Sequence, residues 1–381
     1  MAAPSRPPRS RGLVSDAVGR GGRSTDAVGS GSPSTDGLAR RAPTMEDVAR
    51  EAGVSRALVS LVMRERPNVS PERRTRVLEV AARLGYRPNA MARSLASRQT
   101  RTVGVILDDL RNPFFAEIAG GVEELASQLG YRLLLAAGGR QARRERAALD
   151  ALLEYRVSGI ILVSPRMPAS DISAAASEAP LVIVGRAVRG VDADSVLINE
   201  AHGTGLVLEH LIGLGHEAIA HVDGGSGAGG PQRRSAYLRG MRAHRLARHA
   251  LVIPGDFTEE AGVSAAAELV RRPELPTAVF AANDVVAAGL LGGLDRAGVQ
   301  VPGDISIVGY DNISIAHLAH VSLTTVDQPR TEMGQLALEL LLDRIDNRRA
   351  NEMRLIEPTL VVRSTTAPPR TVAAPAVAAL A

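Results

Sequence analysis

Apolar residues follow one rhythm before residue 101 and another after it. In the first stretch they recur at helical spacing. Thr44 with Asp47 three residues on predicts a capping box and a helix running to about Ala52. Gly53-Val54 supplies a turn, and Ser55 is a natural N-cap for a second short helix through about Met63. Ser70-Pro71-Glu72 combines an N-cap, a first-turn proline and a first-turn acid, opening a helix in which Val77, Leu78, Ala81 and Leu84 recur at helical spacing. Gly85 ends it, and Arg87-Pro88-Asn89 breaks the chain before a short helical stretch, "AMARSLAS".

Beyond residue 101 the runs are short, apolar and rich in β-branched residues: "TVGVIL", "RLLLAA", "GIILVS", "PLVIVG", "AIAHVD", "ALVIP", "TAVFAA" and "ISIVGY". Amphipathic stretches such as Ala116–Leu129 and Ala261–Arg271 separate them. Continuous apolar strands alternating with helices mean parallel sheets covered on both faces. Some 260 residues with this rhythm fit two doubly wound lobes better than one, because a single layered core stops growing near that size. The expected fold class is therefore α/β: an all-α N-terminal headpiece followed by a two-lobed core of doubly wound parallel sheets. Ligands of such lobes lie at the carboxyl ends of the strands.

Composition changes the picture at the ends and the front. Residues 1–42 are rich in Pro, Gly, Ser and Arg and hold three approximate repeats, "SDAVGR", "STDAVGS" and "STDGLAR". They read as a disordered tail, with a nonspecific DNA-binding arm as the alternative. Residues 367–381, "APPRTVAAPAVAALA", read as a second tail. Aromatics are only 2% of the chain, so the core must be Leu, Val, Ile and Ala. Cysteine is absent, which removes disulfides and thiolate metal sites and suits the cytoplasm. No apolar run approaches the roughly 18 residues of a membrane span, so no membrane partner is expected. All 45 basic residues are arginine, and residues 40–101 hold 14 of them against 6 acids, a local surplus of +8 over an overall +4. Such asymmetry points the front of the chain at a polyanion.

Two helices joined by a tight glycine turn and followed by a third have the helix-turn-helix layout. Such a unit sends the N-terminal residues of its second helix, here Ser55, Arg56 and Ala57, into a major groove of double-stranded DNA. On that helix Leu58, Val59 and Val62 can face the core while Arg56, Ser60 and Leu61 face outward.

The run "PTMEDVAREAGVSRALVSLVM…NVSPERRTRVLEVAARLGYRPNAMARSLAS" resembles the headpiece and hinge of the lactose-repressor (LacI) family of bacterial transcription regulators. The likeness continues through "TVGVILDDLRNPFF", "VSGIILVSP", "GHEAIAHVDG", "AANDVVAAGLLGGLDRAGVQVPGDISIVGYDN", "LTTVDQP" and "EPTLVVRSTT", about residues 43–366. It implies a headpiece at 43–88, a hinge at 89–101 and a periplasmic-binding-protein-like core at 102–366. The first lobe would take about 102–198 and 328–356, the second about 199–327 and 357–366. It also implies homodimers, in some members tetramers, on near-palindromic operators, and a small-molecule effector between the lobes.

Residue by residue, the resemblance assigns major-groove contact to Arg56, Ala57 and Leu61, and phosphate or groove-edge contact to Thr44, Ser55 and Ser60. Where relatives often place a polar base reader at position 61 and Thr at 58, this chain has Leu at both. Arg56 can still hold a guanine bidentately, and Leu61 can touch a thymine methyl. Leu95 becomes the wedge that enters the minor groove from the hinge, with Asn89, Ala92 and Arg93 beside it. For the effector, the family's positions fall on Asp109, Asn112, Phe114, Arg140, Arg234, Tyr237, Asn283, Asp311 and Gln328, with Arg234 the expected ligand clamp. Amides and charges around an aromatic face suit a carbohydrate. Gly185 stands where some members carry an acidic ligand, and Arg186 beside it would favour an anionic one.

Other chemistries find less support. "GSGAGG" at 225–230 fits G-x-G-x-x-G, but the next strand, "ALVIPG", ends without the acidic residue a dinucleotide site needs. His202, His210, His216 and His221 lack metal-ligand spacing, so neither metal nor cofactor is expected. No Ser/His/Asp arrangement has strand–turn–helix context, which disfavours an enzyme. A solute-binding protein of a transport system would share the lobes but need an export signal and no headpiece. The reading is a cytoplasmic, effector-controlled repressor.

Overall fold

The chain divides into two units, residues 1–89 and 90–381, in a computed structural model that describes residues 43–64, 66–87, 100–348 and 350–370. The first unit holds α1 (Met45–Ala52), α2 (Arg56–Met63) and α3 (Pro71–Leu84). Thr44 opens α1 with a reciprocal cap: its hydroxyl accepts from Asp47 N at 3.4 Å while its own N–H donates to the Asp47 carboxylate at 2.9 Å. Gly53, at φ 67°, makes the left-handed turn that a side chain would strain, and it lets Val54 N–H return to the Ala49 carbonyl at 3.0 Å. Val48, Ala52, Val59, Val62, Val77 and Val80 close the core. Leu78 is 48% exposed, contrary to the spacing argument. Val77, Val80, Ala81 and Leu84 share one face of α3 at i, i+3, i+4 and i+7, and Leu78 lies about 100° round from it. Leu58, also expected inside, is only partly buried and packs outside the cluster that Val59 and Val62 join.

The second unit begins with β1 (Thr102–Leu107), α4 (Pro113–Gln128), β2 (Arg132–Ala137), α5 (Ala142–Glu154), β3 (Gly159–Val163), α6 (Ala169–Glu178), β4 (Leu181–Val184) and β5 (Asp194–Ile198). The chain then crosses to a second lobe: α7 (Glu200–Gly213), β6 (Ile219–Val222), α8 (Gly230–Ala243), β7 (Leu251–Ile253), α9 (Glu259–Val270), β8 (Ala278–Ala281), α10 (Asp284–Arg296), β9 (Ser306–Asp311) and β10 (Thr324–Asp327). It returns as α11 (Arg330–Ile345) and β11 (Met353–Ile356), then crosses again to β12 (Thr359–Val361). The first sheet has the order β11-β5-β4-β3-β1-β2 and is wholly parallel. The second has the order β12-β10-β9-β8-β6-β7, with only β12 antiparallel.

Alternation along the strands sorts side chains between two helical layers. Val105, Ile161 and Val182 pack under α4 and α11, while Ile106, Leu162 and Ile183 face α5 and α6. The α/β class agrees with the sequence pattern. Four strands escaped the apolar-run reading: β5, β10, β11 and β12. β5 alternates buried and half-buried positions, and β11 is an exposed edge, so neither is a continuous apolar run. Residues 367–370, expected in the C-terminal tail, are instead held to the second lobe: Ala367 N donates to Ser306 Oγ at 3.1 Å, and Arg370 pairs with Asp304. Among the described residues no helix is long and apolar enough to cross a membrane.

Candidate functional site

In the first unit, Ser55 caps α2 by accepting from Leu58 N at 3.2 Å, which leaves Ser55, Arg56 and Ala57 exposed at the helix start. The Arg56 side chain is 72% exposed, and among the described residues its one ion-pair partner, Glu46, stands 3.9 Å away. Two other arginines are already engaged. Arg64 reaches back to Ser60 Oγ at 2.5 Å and Ser60 O at 3.1 Å, and Arg83 pairs with Glu51 at 2.9 Å. Ser60 and Leu61 are half-buried, and the Thr44 hydroxyl is occupied by its cap with Asp47. Any phosphate contact from Thr44 or Ser60 therefore competes with an internal hydrogen bond, whereas Arg56 has only a long, solvent-exposed ion pair with Glu46 to give up. Asn89, Ala92, Arg93 and Leu95 lie outside the described residues.

In the second unit, the carboxyl ends of both sheets face a cleft of about 610 Å³, its open mouth included. From the first lobe come Asp108, Asp109 and Asn112 after β1, Arg140 after β2, Ser164 and Arg166 after β3, and Gly185 after β4. The second lobe contributes Glu200, Arg233, Phe257, Asn283 and Asp311, and Gln328 stands at a chain crossing. Asn112 caps α4 by accepting from Phe114 N at 3.0 Å, setting Phe114 edge-on to Phe115 with ring centroids 5.3 Å apart. Asn283 caps α10 in the same way, accepting from Val286 N at 2.9 Å.

Arg233 is the most enclosed cation. Its Nε donates to Glu200 Oε2 at 2.7 Å, Nη2 to Glu200 Oε1 at 3.1 Å and Nη1 to the Ala282 carbonyl at 2.6 Å. Its guanidinium carbon sits 3.7 Å from the centroid of the Tyr310 ring. Burial alone would lower its pKa, but the Glu200 carboxylate more than reverses this and keeps the group charged. Arg166 is bidentate to Asp108 at 2.8 and 3.0 Å, and its loop is held by Glu145, which accepts from Arg166 N and Met167 N at 2.8 and 2.9 Å. Burial raises the pKa of Glu145. Burial also pushes Asp109 up, but hydrogen bonds from Arg111 outweigh it and hold the carboxyl below its ordinary value. Asp311 and the neighbouring buried Asp284 both titrate high because burial penalises two charges so close together. Gln328 Nε2 donates to Asp311, and Arg330 ties Glu117 of α4, at 2.7 Å, to the carbonyls of Asn312 and Gln328, at 2.9 and 2.6 Å. The lobes meet over the cleft where Arg140 Nη2 donates to Asp256 O at 2.7 Å and Oδ2 at 3.0 Å.

Residues 44–89 match the bacterial regulatory proteins, lacI family, and residues 208–366 match the periplasmic binding protein-like domain. Over 317 residues the chain is 36% identical to the ribose operon repressor of Haemophilus influenzae, covering 82% of this chain and 95% of the relative. The chain belongs to the lacI family. Among solved structures, this LacI-family chain is similar to the lac repressor dimer bound to operator and the anti-inducer ONPF, with a TM-score of 0.77, 29% identity, and coverage of 86% of this chain and 100% of that one. It is also similar to a LacI family regulator from Enterococcus faecium with bound ribose, with a TM-score of 0.65, 29% identity, and coverage of 71% and 100%.

Seven of the nine expected effector residues of this LacI-family core line the cleft: Asp109, Asn112, Phe114, Arg140, Asn283, Asp311 and Gln328. Arg234 and Tyr237 do not. Arg234 is 54% exposed and pairs with Asp223 at 3.2 Å, while Arg233 takes the position expected of it. Tyr237 is fully buried, donating to Ile219 O at 2.7 Å and accepting from Leu251 N at 2.9 Å, so it pins β6 to β7. Helical phase separates the two arginines. Ala236, Tyr237 and Met241 mark the buried face of α8, and Arg233 shares it at i+3, i+4 and i+8. Arg186 is not in the lining either; its Nη1 donates to the Pro165 carbonyl at 2.8 Å. Asp108, Arg166, Glu200 and Phe257 were missed, each on a strand-end loop or first helical turn where apolar periodicity carries no signal. The glycine run at 225–230 belongs to the same wall. A Cβ on Gly227, or on Gly224 just before the run, would come within 2.8 or 2.2 Å of the Phe257 ring, which lies against that loop.

Proposed function

We propose that this protein is a sequence-specific transcriptional repressor whose operator affinity is set by a sugar or sugar derivative held between the two lobes. One observation carries the reading: a basic helix-turn-helix unit shares a chain with a cleft whose acceptors, donors and aromatic faces suit a polyol. A transport-system binding protein has no use for the first of these. Relatives support the effector class, one being named a ribose operon repressor and another having been solved with bound ribose.

Arg56 is the principal base reader, with Ala57 and Leu61 beside it on the major groove and Thr44, Ser55 and Ser60 toward the backbone. Leu95 supplies the minor-groove wedge, flanked by Asn89, Ala92 and Arg93. The protein works in the cytoplasm as a homodimer on a near-palindromic operator, since a two-fold protein reads a two-fold site.

The test is selection of duplexes from a random pool by the full-length protein, followed by titration of the selected duplex with a panel of neutral sugars. A near-palindromic consensus, and at least one sugar that shifts its affinity about tenfold, or about 1.4 kcal/mol, is the expected result. Binding without sequence preference would overturn the regulator reading. A consensus that no sugar affects would overturn the effector class.

A further inference from the structure

Three arginines line the cleft, and each already holds a carboxylate. Arg166 is matched by Asp108, Arg140 by Asp256 of the opposite lobe, and Arg233 by Glu200. The side chains of Arg233 and Glu200 are 5% and 13% exposed, so their charges are withdrawn from solvent as well as from one another's surroundings. Arg186, the residue that would have favoured an anion, spends its guanidinium on the Pro165 and Met167 carbonyls. Among the described residues, no cation lining the cleft stands without a carboxylate partner.

Glu200 is placed for this by the fold. It is the first residue of α7, directly after the crossing from β5, and Asn199 before it is fixed by Glu357 at another crossing, Nδ2 to Oε1 at 2.9 Å. On the far side, the Glu200 carboxylate lies against the backbone at Gly229, where a Cβ would come within 2.5 Å of Oε1. The Tyr310 ring beneath the guanidinium completes a cage, with Glu200 in the plane of Arg233 and an aromatic face below it.

We propose that Glu200 sets the charge specificity of the cleft: by neutralising and holding Arg233, it selects an uncharged polyhydroxylated effector and rejects the phosphorylated form. The inference rests on the reading of this cleft as the effector site. A phosphate or carboxylate on the ligand would have to take Arg233 from Glu200, stranding a largely buried carboxylate near a second acidic group of the lining, Asp311. A hydroxyl asks for no such exchange, because it can accept from Arg233 and donate to Glu200 together.

Calorimetric titration of the full-length protein tests this with neutral aldoses, the corresponding sugar phosphates and inorganic phosphate. The wild type should bind a neutral sugar at least tenfold more tightly than its phosphate ester and show no binding of inorganic phosphate. Glu200→Gln keeps the shape and removes the charge; it should gain at least tenfold in affinity for inorganic phosphate and for the sugar phosphate. A wild type that prefers the phosphate ester overturns the proposal without any variant. So does a cooperatively melting Glu200→Gln protein that keeps the wild-type preference. If no sugar of either kind binds the wild type, the sugar reading fails. Inorganic phosphate still decides the role of Glu200, since gain in the variant supports it and equal behaviour overturns it. Arg186→Ala, as a control, should leave the preference unchanged.

Discussion

Truncating Arg56 removes an exposed guanidinium at the start of α2 that, among the described residues, no carboxylate holds closer than 3.9 Å. Arg56→Ala should therefore cost about 1–3 kcal/mol on the selected operator and relax the preference at one base position. Fluorescence anisotropy on cognate and random duplexes separates the outcomes, because an equal loss on both would reduce Arg56 to a phosphate contact. A second side chain governs stability in acid. His221 lies fully buried in β6, stacked on Phe280 at 4.6 Å, with Nδ1 donating to the Phe280 carbonyl at 3.0 Å. Burial pulls its pKa from 6.5 to about 4. Between those values the unfolded imidazole holds a proton that the folded one does not, so its contribution is complete above pH 6.5 and is lost as pH falls toward 4. His221→Asn should flatten the pH dependence of the core's melting temperature across that window; a slope equal to the wild type's would show that other groups carry it. The same scale shows what the sequence made legible. The residue types around the cleft follow from family resemblance, but choosing between Arg233 and Arg234 required the phase of α8, and Glu200 became visible only as a partner of Arg233.

At the scale of elements, strands with two covered faces were legible because burial on both sides demands an unbroken apolar run. Edge strands answer to one face or none. β11, with Met353 62% and Leu355 52% exposed, has no run to read. The loops after β2 and β7 carry a pair that ties the lobes over the cleft mouth by side-chain charge, Arg140 with Asp256. Since Asp256 is 55% exposed, the pair is screened, and pairs of that kind contribute about 0–1 kcal/mol. Asp256→Asn should therefore weaken effector binding by no more than about fivefold, through loss of the closed arrangement. Full-length protein at rising ionic strength should converge on the variant's affinity. A variant equal to the wild type in low salt would mean that closure does not use this contact.

At the scale of the whole molecule, regulation requires that two folded units communicate, and their separate cores make the requirement testable. The first unit rests on a small set of valines and alanines in three short helices, whereas the second buries two sheets between helical layers. So small a unit is marginal by itself, because little of its surface is buried on folding. Differential scanning calorimetry of the full-length protein without DNA should therefore resolve a weak first transition and a strong second one. Effector at 100 times its dissociation constant should add about 2.7 kcal/mol to the second transition, the linkage expected for a ligand that binds only the folded core. The first transition should not move, since the effector gains nothing by ordering the headpiece until operator is present. Adding the selected duplex should raise the first transition, and adding effector as well should shift it again by the coupling free energy between the two sites, typically 1–3 kcal/mol in either direction. A first transition that rises with effector alone would place the coupling in the protein itself and remove DNA-dependent ordering from the mechanism.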